Sequence, residues 1–290
     1  MPARAGVVVG VDGSPSALGA VRWAARDAAV RDVPLTIVTA IPPIAGSWVV
    51  TPVPVDVLDG ARESAQQILD DATGLAKDCT DGSLQVSTVL HPGAAVPALV
   101  DLPARADLLV VGRSGSGAFS RALLGSVSSG VLHDARCPVA VVHQDGSRID
   151  TFDTAPVLVG VDGSRSSEHA LEIACLEASL RGVDLIALHA WWAPGAWEFS
   201  DTAFHELAGD LDTWLGEQLA PWQRRYPAVT MRRAVVRDQP ARRLVEFPEP
   251  VQLIVVGSHG YGGVTGVLLG SVSHAVVQSA SIPVIVAHGR

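Results

Sequence analysis

Leu108-Leu109-Val110-Val111-Gly112-Arg113-Ser114-Gly115, followed after nine residues by Gly125-Ser126-Val127-Ser128, is the stretch on which the fold turns. Four apolar residues without alternation read as a strand buried on both faces, the mark of a parallel sheet. The glycines then break the strand, and Ser126 to Ala135 reads as a helix. A strand, a glycine loop and a helix start make a natural phosphate cradle. Bare backbone can approach an anion there, and unpaired helix N–H groups point at it. The pattern recurs as Leu253-Ile254-Val255-Val256, Gly257-Ser258-His259-Gly260, nine residues, and Gly270-Ser271-Val272-Ser273.

Working outward, the recurrence covers the whole chain. Val7-Val8-Val9-Gly10-Val11-Asp12-Gly13-Ser14 opens the first half, and Val157-Leu158-Val159-Gly160-Val161-Asp162-Gly163-Ser164 opens the second at an offset of 150 residues. At the glycine loops, and at Val139-Ala140-Val141-Val142 and Val284-Ile285-Val286-Ala287, the offset is 145. A repeat this long is a duplicated domain and not a solenoid unit. Each copy reads as strand, helix, strand, helix, strand, helix, strand, helix, strand, which predicts a parallel sheet covered on both faces.

In the first copy the helices are predicted over 16–32, 59–77, 94–105 and 126–135, the strands over 35–40, 86–90, 108–111 and 139–143. Ser14 or Ser16 is expected to cap the first helix, and Ala17, Ala20, Val21, Ala24, Ala25 and Ala28 to form its apolar stripe. Proline is expected to interrupt the third. The second copy gives 166–181, 185–190, 201–226, 229–236, 239–247 and 253–256. The proline-rich 41–57 reads as a loop and the polar 144–156 as an interdomain link.

In an open parallel sheet, ligands sit beyond the carboxyl ends of strands where the strand order reverses. If the first and fourth strands are neighbours, Asp12 and the Gly112 loop share one crevice, and Asp162 and the Gly257 loop share another. The expected occupant is a nucleotide. Gly10, Gly112, Arg113, Ser114, Gly115, Ser116 and Gly117 are expected to let the loop wrap its phosphates. Gly125, Ser126, Val127 and Ser128 supply N–H and hydroxyl donors, with Arg121 as a further cation. Ala40 walls the base. The second cradle comprises Gly160, Asp162, Ala190, Gly257, Ser258, His259, Gly260, Tyr261, Gly262, Gly270, Ser271, Val272 and Ser273. Asp12 and Asp162 suit a ribose hydroxyl or a magnesium ion bridging phosphates. Asp12 reads equally as a helix cap, and Ser126 and Ser271 as caps of their helices with no ligand at all. Arg113 and Arg121 have Ser258 and Gly266 as counterparts, so the first site is expected to hold triphosphate more tightly, unless both arginines point to solvent. Trp191 and Trp192, beyond Ala190, either stack near the base or cover the sheet edge.

Composition excludes several alternatives. A chain of 290 residues with net charge −9 and no basic cluster is not built for generic nucleic-acid binding. Cys79, Cys137 and Cys175, three in number and without Cys-x-x-Cys spacing, suit a reducing cytosol. No signal peptide is expected at the start, and no apolar stretch reaches the ~20 residues of a membrane span. The single lysine, Lys77, lies outside any glycine context, so a Walker loop is absent. Gly-x-Gly-x-x-Gly does not follow the first strand, Gly-x-Ser-x-Gly is missing, and the nine histidines show no metal-ligand spacing.

At Gly-x2-Gly-x9-Gly-Ser the chain resembles the universal stress protein family, in its ATP-binding branch. Val-Gly-Val-Asp-Gly-Ser, Cys137-Pro138-Val139 and Ile282-Pro283-Val284 resemble it as well. The resemblance implies two tandem domains, 1–146 and 155–290, each an α/β doubly wound five-stranded parallel sheet in order 3-2-1-4-5, of the adenine nucleotide alpha hydrolase-like kind. It implies that final strands of two such domains pair, within the chain or between chains. ATP, with Mg2+, is the implied cofactor. Asp12, Ala40, Gly112, Gly115, Gly125 and Ser126, with Asp162, Ala190, Gly257, Gly260, Gly270 and Ser271, are the implied contacts. The resulting expectation is a cytoplasmic, nucleotide-dependent regulator of stress response or growth. The alternative is a slow ATPase or nucleotidyl-transferring enzyme, against which stand the missing lysine and the lack of an obvious base for water.

Overall fold

The computed structural model describes residues 6–41, 55–101, 106–114, 124–143, 154–191, 201–260 and 269–288. Two compact units emerge, Met1–Gly146 and Ser147–Arg290. The first runs β1 (Val7–Gly10), α1 (Pro15–Arg31), β2 (Leu35–Ile41), α2 (Val55–Asp78), β3 (Val86–Pro92), α3 (Ala95–Asp101), β4 (Leu108–Gly112), α4 (Ser126–Asp134) and β5 (Val139–Val142). The second runs β6 (Val157–Gly160), α5 (Arg165–Arg181), β7 (Leu185–Trp191), α6 (Asp201–Arg225), β8 (Met231–Arg237), α7 (Pro240–Val245), β9 (Leu253–Gly257), α8 (Ser271–Ser279) and β10 (Val284–Ala287).

Within the first unit the strands lie in the order β3-β2-β1-β4-β5, and within the second β8-β7-β6-β9-β10. The pairings are parallel: Val7 sits opposite Leu35 on one side and Leu108 on the other, and Val157 opposite Leu185 and Leu253. The chain walks outward from β1 to β3, then returns to β4 and continues to β5. Right-handed crossovers place α1 and α2 on one face and α3 and α4 on the other. The direction of travel therefore reverses between β1 and β4, which opens a crevice at their carboxyl ends. Because both faces are covered, the strands are apolar throughout: Val7, Val9, Leu109, Val110, Val139 and Val141 are wholly buried. Burying a side chain of this kind contributes ~1.5–3 kcal/mol.

Helix α1 begins where Ser14 accepts the Ala17 N–H at 3.2 Å, with Pro15 opening the helix. Ser14, not Ser16, is the cap. Its six expected stripe residues are all buried against the sheet. At the far end Asp32 takes a left-handed φ of 53°. Helix α5 repeats the design, with Ser164 as cap and Gly182 at φ 66°. Strands β2 and β3 run further than expected, to Ile41 and Pro92, because they pair along their whole length. Pro97 does not interrupt α3, because it falls in the first turn, where no intrahelical acceptor awaits an N–H; α3 ends at Asp101, and 102–105, with Pro103, lie outside the described residues. Trp191 closes β7 by pairing with Arg237, while Trp192 lies outside the described residues, as do most of the expected 41–57 loop and 144–156 link.

Candidate functional site

At the switch point of the first unit lies a cavity of about 450 Å³. Its floor is the ends of β1, β2 and β4, and its walls come from α3 and the start of α4. Of the residues expected from the sequence, Gly10, Asp12, Ala40, Gly112, Ser114, Gly125, Ser126, Val127 and Ser128 line it. Gly115, Ser116, Gly117 and Arg121, and in the second unit Tyr261 and Gly262, lie outside the described residues. Arg113 is not part of the cavity lining; its N–H bonds the Val142 carbonyl at 2.9 Å, and its Nε is buried without a hydrogen-bond partner. Val11, Ala17, Val38, Ala95, Ala98, Leu99, Val111 and Leu124 also line the cavity and were not foreseen. Alanine, valine and leucine look the same whether they face a core or a ligand, so no sequence signal singles them out.

The helix start is the part of the site with the clearest electrostatics. The N-caps of α4 and α8 are Gly125 and Gly270, and neither helix has a side-chain cap. Ser126 and Ser271 therefore do not cap: they already sit in the first helical turn. Ser129 N–H makes the first intrahelical bond, to the Gly125 carbonyl at 2.9 Å, and His274 does the same with Gly270. The N–H groups of Ser126, Val127 and Ser128 have no acceptor within the helix, and with the helix dipole they form a positive end. The Gly125 N–H is not among the available donors. It bonds the Arg113 carbonyl at 2.8 Å, as Gly270 bonds Ser258 at 2.7 Å.

Two more residues of the motif also have packing roles. Gly112 lines the cavity and at the same time leaves no room for a side chain. A Cβ there would fall 2.8 Å from the Ser16 backbone, and at Gly257 2.8 Å from that of Ser166. Ser128 donates its hydroxyl to the Gly112 carbonyl at 2.6 Å, and Ser273 makes the same bond to Gly257. These hydroxyls tie the helix to the strand end and so aim the N-terminus; they are positioning groups.

Asp12 ends β1 beside this positive end, and its Oδ1 accepts the Ser14 N–H at 3.0 Å. It is not the cap of α1, which is Ser14, but it orders the turn leading to the cap. Asp162 bonds Ser164 N–H at 2.9 Å in the same way. In the second unit a Cβ on Gly260 would lie 2.8 Å from Asp162 Oδ2, so the bare loop runs against the carboxylate. Ala190 occupies on β7 the place of Ala40 on β2, at the end of a strand next to the crevice. His259 N–H bonds Ser166 Oγ at 3.2 Å, its Nδ1 lies 3.1 Å from Ser258 Oγ, and its Nε2 is buried without a partner. Among the described residues no group of three or more His, Cys, Asp or Glu side chains could hold a metal by itself. A divalent ion here would need ligand oxygens to complete its shell. The described cysteines are free thiols, and burial pushes Cys137 up to about 11 and Cys175 up to about 12, far from thiolate reactivity at neutral pH. Among the described residues no helix is long and apolar enough to cross a membrane.

The sequence model of the universal stress protein family matches residues 6–143 and again 154–288. Universal stress protein Rv2623 of Mycobacterium tuberculosis is 48% identical over 284 residues, covering 97% of this chain and 96% of that protein. Universal stress protein Rv2005c of the same organism is 46% identical over 284 residues, with the same coverage of 97% and 96%. Among solved structures, a universal stress protein from Archaeoglobus fulgidus DSM 4304 superimposes with a TM-score of 0.71 at 21% identity, covering 98% of each chain. That similarity is one of fold.

Proposed function

The chain belongs to the universal stress protein family, and from that premise we propose that each of its two units binds ATP, with magnesium, and that occupancy regulates a partner in the stress response or in growth control. One observation carries the reading. A helix whose N-terminus lacks a side-chain cap opens on a cavity of about 450 Å³, large enough for a nucleotide. Phosphates would lie against the N–H groups of Ser126, Val127 and Ser128, near-ideal partners for an anion. The base would lie between Ala40 and Val38 on one side and the α3 residues Ala98 and Leu99 on the other, all of them apolar and all in the cavity lining. Asp12 would face the ribose hydroxyls or hold a magnesium ion shared with phosphate oxygens, one carboxylate being a usual protein share in such a site. We place the protein in the cytoplasm on the same grounds as its free cysteines.

The test is mass spectrometry of the small molecules released when the purified protein is denatured. Intact ATP in the released fraction supports the proposal, and its retention argues for a binding module over an ATPase. An eluate with no nucleotide, together with no rise in melting temperature on adding ATP and magnesium, would overturn it. Steady phosphate release that disappears in the double variant Gly115→Ala/Gly260→Ala would move the reading to a slow hydrolase.

A further inference from the structure

We infer that the second unit couples nucleotide binding to the uptake of a proton, which a cluster of histidines, His259, His288 and His169, holds against its phosphate loop. This rests on the nucleotide reading above and leaves ATP as the ligand of both units. The cluster is assembled from separate elements. His259 lies in the glycine loop after β9, and the loop's backbone runs against the start of α8: a Cβ on Gly270, the N-cap, would fall 3.3 Å from His259 Cα. His288 follows β10, whose Ala287 pairs with Gly257 and accepts the Ser258 N–H at 2.9 Å, so the strand end carrying His288 sits beside the loop. His169 lies on α5, which packs on β9 and β10. That helix holds the loop through Ser166, whose Oγ accepts the His259 N–H at 3.2 Å and lies 3.2 Å from Ser258 Oγ. His169 is one turn further along the same helix face.

A positive charge in this cluster is poorly answered while the site holds no ligand. Nε2 of His259 and Nε2 of His288 are buried without a hydrogen-bond partner. Burial first, then His259 and His169, push His288 down to about 4. The acids nearby sit at the margin of the cluster. Glu172 of α5 lies 3.4 Å from His169 Nδ1 and also accepts Arg225 of α6 at 3.3 Å. Asp162, after β6, accepts the Ser164 N–H and lies beside Gly260. Strands β9 and β10 carry no charged residue, and on the turns of α5 and α8 nearest the loop Arg165, Glu168 and His274 are exposed. A polyphosphate on the N–H groups of Ser271, Val272 and Ser273 brings the missing counter-charge next to the loop. Partly buried charges attract over several ångströms without direct contact. Binding therefore favours the protonated cluster, and by linkage a fall in pH favours binding. The first unit lacks this device. Through the offsets of 145 at the loop and 150 at the first helix, Ser114 stands for His259, Gly19 for His169 and Arg113 for Ser258. Only His143 is kept, in the place of His288, and the Arg113 guanidinium does not titrate in this range.

The test is isothermal titration of the full chain with ATP in two buffers of different ionisation enthalpy, with excess magnesium to keep the nucleotide's own phosphates deprotonated. Near pH ~6.5, roughly half a proton to one proton per chain is expected to be taken up at saturation. The affinity of one site should accordingly rise about threefold to tenfold for each unit fall in pH, while that of the other changes little. His259→Ser, which installs the residue of the first copy, and His288→Gln should each reduce the uptake by about half or more. His288→Gln alters no residue of the loop, so it decides the matter if His259→Ser does not fold. ATP binding with no proton taken up, or an uptake that either folded variant leaves unaltered, would overturn the inference and leave the nucleotide reading standing. Release of protons on binding would overturn it as well. No ATP binding at any pH from ~6 to ~8 would sink both readings.

Discussion

At the scale of single residues, the glycines of the motif divide by what lies opposite them. Gly112 faces the Ser16 backbone, which cannot yield, so Gly112→Ala is expected to cost about 1–3 kcal/mol of stability, measured by urea unfolding without ligand. A purely phosphate-facing glycine would give a smaller loss there, so an unchanged midpoint would refute the packing role. Histidine gives a second residue-scale test. His288 follows β10, is 9% exposed, and is pushed down to about 4, first by burial and then by the nearby His259 and His169. It folds neutral, whereas in the unfolded chain it protonates near 6.5. Its contribution is therefore complete above pH ~6.5, declines as the pH falls toward about 4, and amounts to roughly 3 kcal/mol over that window. The stability difference between the protein and His288→Gln should narrow across this range; a constant difference would show that His288 is not titrating as described.

At the scale of elements, the helices fall into two kinds. Helices α1 and α5 start on serine caps, while α4 and α8 start on glycine with no side-chain cap. Leaving an N-terminus uncapped forgoes stabilisation that evolution could obtain from one substitution, and a ligand that supplies the acceptor explains why. Gly125 has φ −63° and ψ 155°, a conformation open to any residue. Gly125→Asp should therefore cap α4 and place a negative charge on its positive end. Without ligand, stability should rise by a few tenths to about 1 kcal/mol. With ATP and magnesium, the thermal shift from that unit should vanish, since the carboxylate occupies the N–H groups and repels phosphate. A variant that is stabilised and still gains the full shift would move the phosphate site away from α4.

At the scale of the whole molecule, the duplication was legible because strands buried on both faces and glycine spacing are local signals, written without interruption in the chain. The strand order was implied only by the family resemblance, because local signals do not say which strands are neighbours, and the cavity floor depends on that order. What was not legible is what depends on a distant partner. The need for Gly112 is set by Ser16, and the bond that spends Ser128 is set by Gly112. Asp27 and Arg31, like Glu177 and Arg181, pair four residues apart on a helix, the spacing of surface ion pairs, yet Asp27 is 1% exposed and Glu177 is fully buried, which no spacing reveals. The α3 wall carries only generic apolar residues, so nothing in the sequence marks Ala95, Ala98 and Leu99 as cavity lining. Two crevices on one chain also set the stoichiometry. Titration with ATP and magnesium is expected to fill both, because each has an uncapped glycine-led helix and an aspartate at the end of its first strand. Each occupied site should add ~2.7 kcal/mol at a hundred times its dissociation constant. Gly125→Asp should reduce the count of bound ATP by one per chain, and Gly270→Asp should remove the other. If the wild-type chain binds one ATP and Gly125→Asp abolishes it, the second crevice is not an ATP site.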